Sequence, residues 1–312
     1  SVLRRAAVIA ALALAALPTA AAAAIPGPGH EHLRAAGYSD QPDVARITYR
    51  REIGNAVLLR SWYTAWNGRT RALLVAYPAR SPARGVPLLV TNHPAGLSMY
   101  CTDRHALAAV RGGFALACLA GQGTATRAFS YGAAGQIADL ARAPQFVALR
   151  APDLRIDQRR LYLAGSSMGA TETLLVALRY PHAYDGVVSL DPITDLGRRY
   201  WSLPLDRRAL MADECGGSPL RSPLCYAVRS PAALVRGAAA IPPLLSLWYS
   251  PADPVSGDAG QAPAFAAALR ARGLATGFVV HVGIWHHGTL WDRARYRHQW
   301  LRELGLRPTR GS

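Results

Sequence analysis

From residue 86 onward, short and almost continuously apolar runs alternate with longer stretches in which apolar residues recur every three or four positions. Leu88–Asn92, Phe114–Ala120, Leu161–Ala164, Val187–Leu190, Leu244–Tyr249 and Gly277–Val282 are the short runs. A strand that is apolar on both faces is one buried on both faces, the signature of a parallel sheet covered by helices. The intervening segments 102–110, 135–149, 171–178, 261–272 and 290–304 have the spacing of helices. Thr102 or Asp103 caps the first, Pro144 bends the second, and Pro181 terminates the third. Two earlier strand-like segments, Ala45–Ile53 and Arg69–Tyr77, with Asn67-Gly68 as the turn signal before the second, read as an antiparallel hairpin. The pattern predicts an α/β fold with a mostly parallel eight-stranded sheet and helices on both faces. The segment from Asp191 to Ile241 is rich in Pro, Gly and Arg and reads as irregular, so residues 192–240 are expected to form a lid-like insertion in a single domain spanning 45–308. No internal repeat interrupts this order.

The most informative stretch is Leu161-Tyr162-Leu163-Ala164-Gly165-Ser166-Ser167-Met168-Gly169-Ala170, followed by the helical Thr171–Leu178. Gly-x-Ser-x-Gly matches arise by chance in a chain with 28 glycines. Between a strand and a helix, however, the pattern is that of a nucleophile elbow, in which a serine is held in a strained turn at the strand tip. Gly165 and Gly169 are then required because strand and helix pass too close for side chains. Ser167 is the candidate nucleophile, with the start of the following helix placed to stabilise negative charge beside it.

A serine hydroxyl needs a base, and the base needs an acid to orient it. In elbow folds the chain order is Ser, then Asp or Glu, then His. Asp253 follows the strand Leu244–Tyr249, and Asp191, which follows Val187–Leu190, is its rival. The base is sought after the last strand in Gly283-Ile284-Trp285-His286-His287-Gly288, where His287 is preferred because Gly288 lets the backbone turn after it, and His286 is the alternative. For the oxyanion, the backbone N–H of Met168 and that of Ala95, in His93-Pro94-Ala95-Gly96, are the candidate donors. Pro94 has none to give. His93 is expected to orient that loop. Tyr200, Trp201 and Tyr226 are candidates for an apolar acyl pocket, the plainer alternative being that they pack the insertion itself. Neither His30 with His32 nor His286 and His287 with Asp292 has the further ligands a metal site needs, so no metal and no cofactor is expected.

Composition changes this picture in three places. Arg4-Arg5, the apolar stretch Ala6–Leu17 and the small residues Ala20–Ala24 have the layout of a secretory signal peptide over residues 1–24, its apolar stretch short of the ~20 residues needed to span a bilayer. Residues 25–44 read as a flexible leader, and an extracellular or periplasmic location follows, without stable membrane insertion. The formal net charge of +16 comes entirely from arginine. These arginines are scattered, so no nucleic-acid partner is expected, and the partner is a small-molecule or peptide acyl substrate. The four cysteines, in an exported chain, predict two disulfides. Cys215 with Cys225 would staple one loop, leaving Cys101 with Cys118; the alternative for Cys118 is a buried thiol.

Asp157–Gly169, with Tyr226-Ala227-Val228-Arg229-Ser230-Pro231 and Gly283–His287, resembles secreted α/β-hydrolases related to the catalytic domain of the prolyl oligopeptidase family. The resemblance covers roughly residues 85–300 and is most specific at the elbow. It implies an α/β-hydrolase fold and the triad Ser167, Asp253 and His287. The chain departs from the family in two places. The sequence before residue 85 is too short for the β-propeller of prolyl oligopeptidases proper, and His93-Pro94-Ala95-Gly96 differs from the family's His-Gly-Gly or Tyr-bearing oxyanion loop. The expected activity is cleavage of carboxylic esters through a covalent acyl-enzyme. The alternatives are a serine peptidase or aminopeptidase with the same triad and, more remotely, a non-catalytic basic protein that binds acidic surfaces.

Overall fold

Strand β6 (Ile156–Ser166) lies at the heart of the sheet, and the elements around it are ordered by which residues can be buried on both faces. The computed structural model describes residues 49–97, 99, 101–121, 123, 129–255, 260–307 and 309. The expected signal peptide and leader, and the start of the expected strand Ala45–Ile53, lie outside the described residues.

Among the described residues, nine strands form one mixed sheet in the order β1-β2-β3-β5-β4-β6-β7-β8-β9. The leading strands β1 (Tyr49–Ile53), β2 (Ala56–Thr64) and β3 (Thr70–Pro78) are antiparallel, and β3 pairs antiparallel with β5 (Ala115–Leu119). From β5 through β4 (Val86–Asn92), β6, β7 (Gly186–Leu190), β8 (Leu244–Tyr249) and β9 (Phe278–Val282) all pairings are parallel. The expected eight strands become nine because β2 is a strand in its own right. Gly54, at φ 58°, lets the chain reverse between Ile53 and Ala56 in a turn that the apolar pattern alone does not announce.

The helices divide between the two faces. Alternation along β2 shows the division: Val57 and Leu59 face one core, Ala56 and Leu58 the other. The first core is closed by α2 (Ala134–Ala141), α3 (Ala143–Arg150), α4 (Met168–Arg179) and α9 (Gln261–Ala271) through Ile137, Leu140, Val147, Leu174 and Phe265. The second is closed by α1 (Asp103–Arg111), α10 (Thr289–Asp292) and α11 (Ala294–Glu303), with Trp291 and Trp300 stacked at 5.5 Å. Thr102 caps α1 by accepting from the His105 N–H. The segment expected as one helix bent at Pro144 is instead two, broken at Arg142, with Pro144 in the first turn of the second, where its missing N–H costs nothing.

The segment between β7 and β8 is mostly helical rather than irregular. It holds α5 (Leu196–Ser202), α6 (Leu205–Cys215), α7 (Pro223–Val228) and α8 (Pro231–Leu234). Its prolines and glycines, which read as loop signals, are helix punctuation: Pro223 and Pro231 open helices, and Gly216, at φ 69°, ends one. Disulfides join Cys101 to Cys118 and Cys215 to Cys225. Among the described residues no helix is long and apolar enough to cross a membrane.

Candidate active site

In a parallel sheet the carboxyl ends of the strands lie on one edge, where the connecting loops meet. Strand β4 delivers Asn92 and His93 to that edge, β6 Ser167, β7 Asp191, β8 Asp253, and β9 the loop bearing His286 and His287.

Ser167 has φ 58° and ψ −121°, a backbone conformation disfavoured for any side-chain-bearing residue. It is fixed by the Ser167 N–H donating to the Leu190 carbonyl at 2.9 Å and by its own carbonyl accepting from Thr171 N–H at 3.0 Å. The crowding around the turn explains its glycines. A β-carbon on Gly165 would lie 2.5 Å from the Gly169 carbonyl oxygen, and one on Gly169 would lie 2.7 Å from that of His93. Helix α4 starts at Met168 with no side chain capping it. Met168 is buried in a cluster with Tyr131 and Tyr226, against which Ala95 and Tyr200 pack, so both candidate oxyanion residues border the same apolar wall.

His287 Nδ1 lies 2.7 Å from Asp253 Oδ2, and the Asp253 side chain is fully buried. Asp253 Oδ1 accepts from Val255 N–H at 2.9 Å, so both carboxylate oxygens are engaged. Arg199 of α5 adds a buried positive charge within electrostatic reach of Asp253. His286 is exposed and lines a separate cleft of about 490 Å³ with Ile284, Arg293 and Tyr296. Asp191 is fully buried at φ 54°, and its Oδ1 accepts from Trp285 Nε1 at 2.8 Å. Burial foremost, with the negative charge of Asp253, pushes the Asp191 carboxyl up to about 7.

His93 is fully buried, with Nδ1 3.0 Å from the Pro94 carbonyl, and burial lowers its pKa to about 4, so the ring is neutral. Of the three aromatic residues, Tyr226 is buried and its hydroxyl donates to the Gly217 carbonyl at 2.9 Å; Tyr200 meets it edge-on at 5.6 Å, and Trp201 is 48% exposed. Tyr226 thus packs the helical segment with the partly buried Tyr200 against it, while Trp201 is exposed.

The sequence reading missed a buried polar layer beneath the elbow helix. Glu172 accepts from Asn92 Nδ2 at 2.7 Å, from Gly132 N–H at 3.0 Å and from Ser130 Oγ. Arg229 then joins the segment after Ser130 to α6, bonding the Ser130 carbonyl at 3.1 Å and the carboxylate of Glu214 at 3.3 Å. Asn92, Glu172 and Arg229 fell within stretches singled out by sequence, but none of them was given this role.

No protein-family model matches the chain, and no curated protein sequence matches it significantly. Solved structures do. The chain is similar to an acylaminoacyl peptidase from Pyrococcus horikoshii, with a TM-score of 0.64 and 15% identity over 83% of this chain and 43% of that one. It is similar to an acetyl xylan esterase from Paenibacillus sp. R4, with a TM-score of 0.63 and 13% identity over 82% of this chain and 87% of that one. It is also similar to oligopeptidase B from Leishmania major, with a TM-score of 0.60 and 18% identity over 75% of this chain but only 33% of that one. The chain therefore spans about a third of the length of oligopeptidase B and nearly the whole of the esterase. At these identities the likeness is one of fold. That fold is the α/β-hydrolase fold, shared with prolyl oligopeptidase-type structures and with esterases.

Proposed function

We propose that the chain is an exported serine hydrolase that cleaves carboxylic esters through a covalent acyl-enzyme. The observation that carries this reading is a serine at φ 58° on the tip of β6, on the same sheet edge as a histidine hydrogen-bonded to a buried aspartate. In this reading Ser167 Oγ attacks the acyl carbon while His287 Nε2 takes its proton. Asp253 holds Nδ1–H, which fixes the tautomer and stabilises the imidazolium. The N–H groups of Met168 and Ala95 bind the oxyanion. The alcohol leaves with the proton from His287; water, deprotonated by the same ring, then attacks the acyl-serine, and the acid departs as Ser167 regains its proton.

Esters are favoured because the chain matches an acetyl xylan esterase over 87% of that protein's length. The second reading, a prolyl oligopeptidase-like peptidase or aminopeptidase with the same residues, is supported by the likeness to the acylaminoacyl peptidase. Tyr200 and Trp201 are then the residues that meet the acyl or leaving group, with Tyr226 behind them. Export is supported by the two disulfides. The test is labelling with a fluorophosphonate probe, followed by a panel of p-nitrophenyl esters beside aminoacyl p-nitroanilides. The reading requires labelling of the native protein, none of Ser167→Ala, and turnover of the esters. Labelling of Ser167→Ala equal to that of the native protein would sink it, and turnover of the anilides alone would select the peptidase.

A further inference from the structure

The site contains one more acid than a Ser-His-Asp mechanism uses. Asp191, Asp253 and His287 each present a ligand-type atom, and these atoms all lie within 4.8 Å of one another. Asp253 is spoken for by His287 and the Val255 N–H. Asp191 is engaged by Trp285 Nε1, which holds Oδ1, and by the Ser250 backbone N–H near the carboxyl, while Oδ2 is buried without a well-formed hydrogen bond. A fully buried carboxyl whose second oxygen lacks a well-formed hydrogen bond is costly, and this one also sits at a positive φ, so the fold tolerates two penalties at one position. Trp285 belongs to the loop that carries His287, so the bond to Asp191 anchors that loop to the end of β7. A purely structural anchor needs one acceptor for Trp285 and no second carboxyl oxygen beside a carboxylate and an imidazole.

We propose that Asp191 is a positioning residue of this site, a second carboxyl held against the His287–Asp253 pair that supports the imidazolium and takes over its orientation when Asp253 is lost. This rests on the assignment of His287 as the base. The titratable groups that face Asp191 are Asp253 from the loop after β8 and His287 from the loop after β9; Arg199 of α5 acts electrostatically on Asp253. Burial foremost, with the negative charge of Asp253 beside it, raises the Asp191 carboxyl to about 7, so Asp191 holds its proton until about that pH. Below that it is a neutral neighbour. Above it, a second negative charge faces the ring that becomes positive in the transition state.

The experiment compares kcat/KM for p-nitrophenyl acetate in the wild type, D191N, D253N, D253N/D191N, S167A and H287A between pH 5 and 9. Asparagine at 191 keeps an oxygen for Trp285. Loss of the acid alone costs about 10⁴-fold in a triad with no substitute. Here D253N retains at least about ten-fold more activity than D253N/D191N, and the deficit of D191N deepens as pH rises through about 7. Should the double variant fail to fold, the D191N profile decides alone, since an anchor without a charge role leaves it parallel to the wild type. Equal activity of D253N and the double variant, or a parallel D191N profile, overturns the inference while inactive S167A and H287A leave the triad standing. Wild-type rates in S167A or H287A overturn the triad itself.

Discussion

Asn92 Nδ2 donates a 2.7 Å hydrogen bond to Glu172 Oε2, tying the end of β4 to the second turn of the elbow helix. Through this bond the loop that starts at His93 and the helix that starts at Met168 are held as one piece. The two candidate oxyanion donors, Ala95 and Met168, belong to those two elements, so the spacing between them depends on a carboxylate that touches neither.

Glu172 receives three donors, from Asn92, Ser130 and Gly132, of which the Asn92 amide and the Gly132 N–H can only donate. Glu172→Gln keeps the shape but replaces one accepting oxygen with an NH₂ pointed at a donor. The expected cost is about 1–3 kcal/mol in stability, the penalty of an unsatisfied buried donor. It should be accompanied by a drop in kcat larger than any rise in KM, because the proposed oxyanion donors lose their register. Urea unfolding with steady-state kinetics on a chromogenic ester measures both; an unchanged midpoint would show that the layer is dispensable.

The sequence made the elbow legible because its constraint is local: a glycine two residues on either side of a strained serine, between a β pattern and an α pattern. The parallel strands were legible because burial on both faces leaves continuous apolar runs such as Val86–Val90. Glu172 was not legible, since Thr171-Glu172-Thr173 in a helix has the look of a solvated face, and its partners come from residues 92, 130 and 132. Strand β2 was hidden by a turn that needs only Gly54. The helices between β7 and β8 were hidden because proline at a helix start and proline in a loop look alike without a structure. Asp191 was visible as a rival to Asp253, but that both would stand within reach of one histidine is a property of neighbouring strand ends.

Ser167 is held at φ 58° against the preference of its side chain. Ser167→Gly removes that penalty, and the relief, of order 1–3 kcal/mol, is opposed by the greater entropy of glycine in the unfolded chain. The expected net effect is a gain of about 1 kcal/mol, a rise of about 2–4 °C in Tm for a domain of this size. Ser167→Ala retains most of the strain and should melt close to the native protein. Both should lose fluorophosphonate labelling, so thermal melts of the pair separate the backbone cost from the side chain's chemistry.

The Cys215–Cys225 disulfide closes a short loop, of sequence separation 10, between the end of α6 and the middle of α7. Chain-entropy arguments put such a bridge at about 2–3 kcal/mol. The double variant C215S/C225S should unfold correspondingly earlier in denaturant. Because Glu214 and Tyr226 are the chain neighbours of these cysteines, the loss is concentrated in the segment that carries Tyr200 and Trp201. If that segment meets the substrate, KM should rise more than kcat falls. Equal effects on both would place the segment's contribution elsewhere.

His93 gives the molecule an acid limit that does not depend on catalysis. Its ring is fully buried, and burial lowers its pKa from 6.5 to about 4. In the unfolded chain the same imidazole binds a proton below about 6.5. Between those two values the unfolded state holds the extra proton, so stability falls as pH falls through that window, and the loss levels off below about 4. Integrated over the window, the contribution is on the order of 3 kcal/mol. His93→Asn, which does not titrate, should therefore show a shallower decline in denaturant midpoint between pH 6.5 and 4, whatever its absolute stability at neutral pH. The loop it heads also carries Ala95, so in the wild type ester hydrolysis and protection of this loop from hydrogen exchange should be lost together as the pH drops. A His93→Asn profile with the same slope as the wild type would place the acid sensitivity on another group.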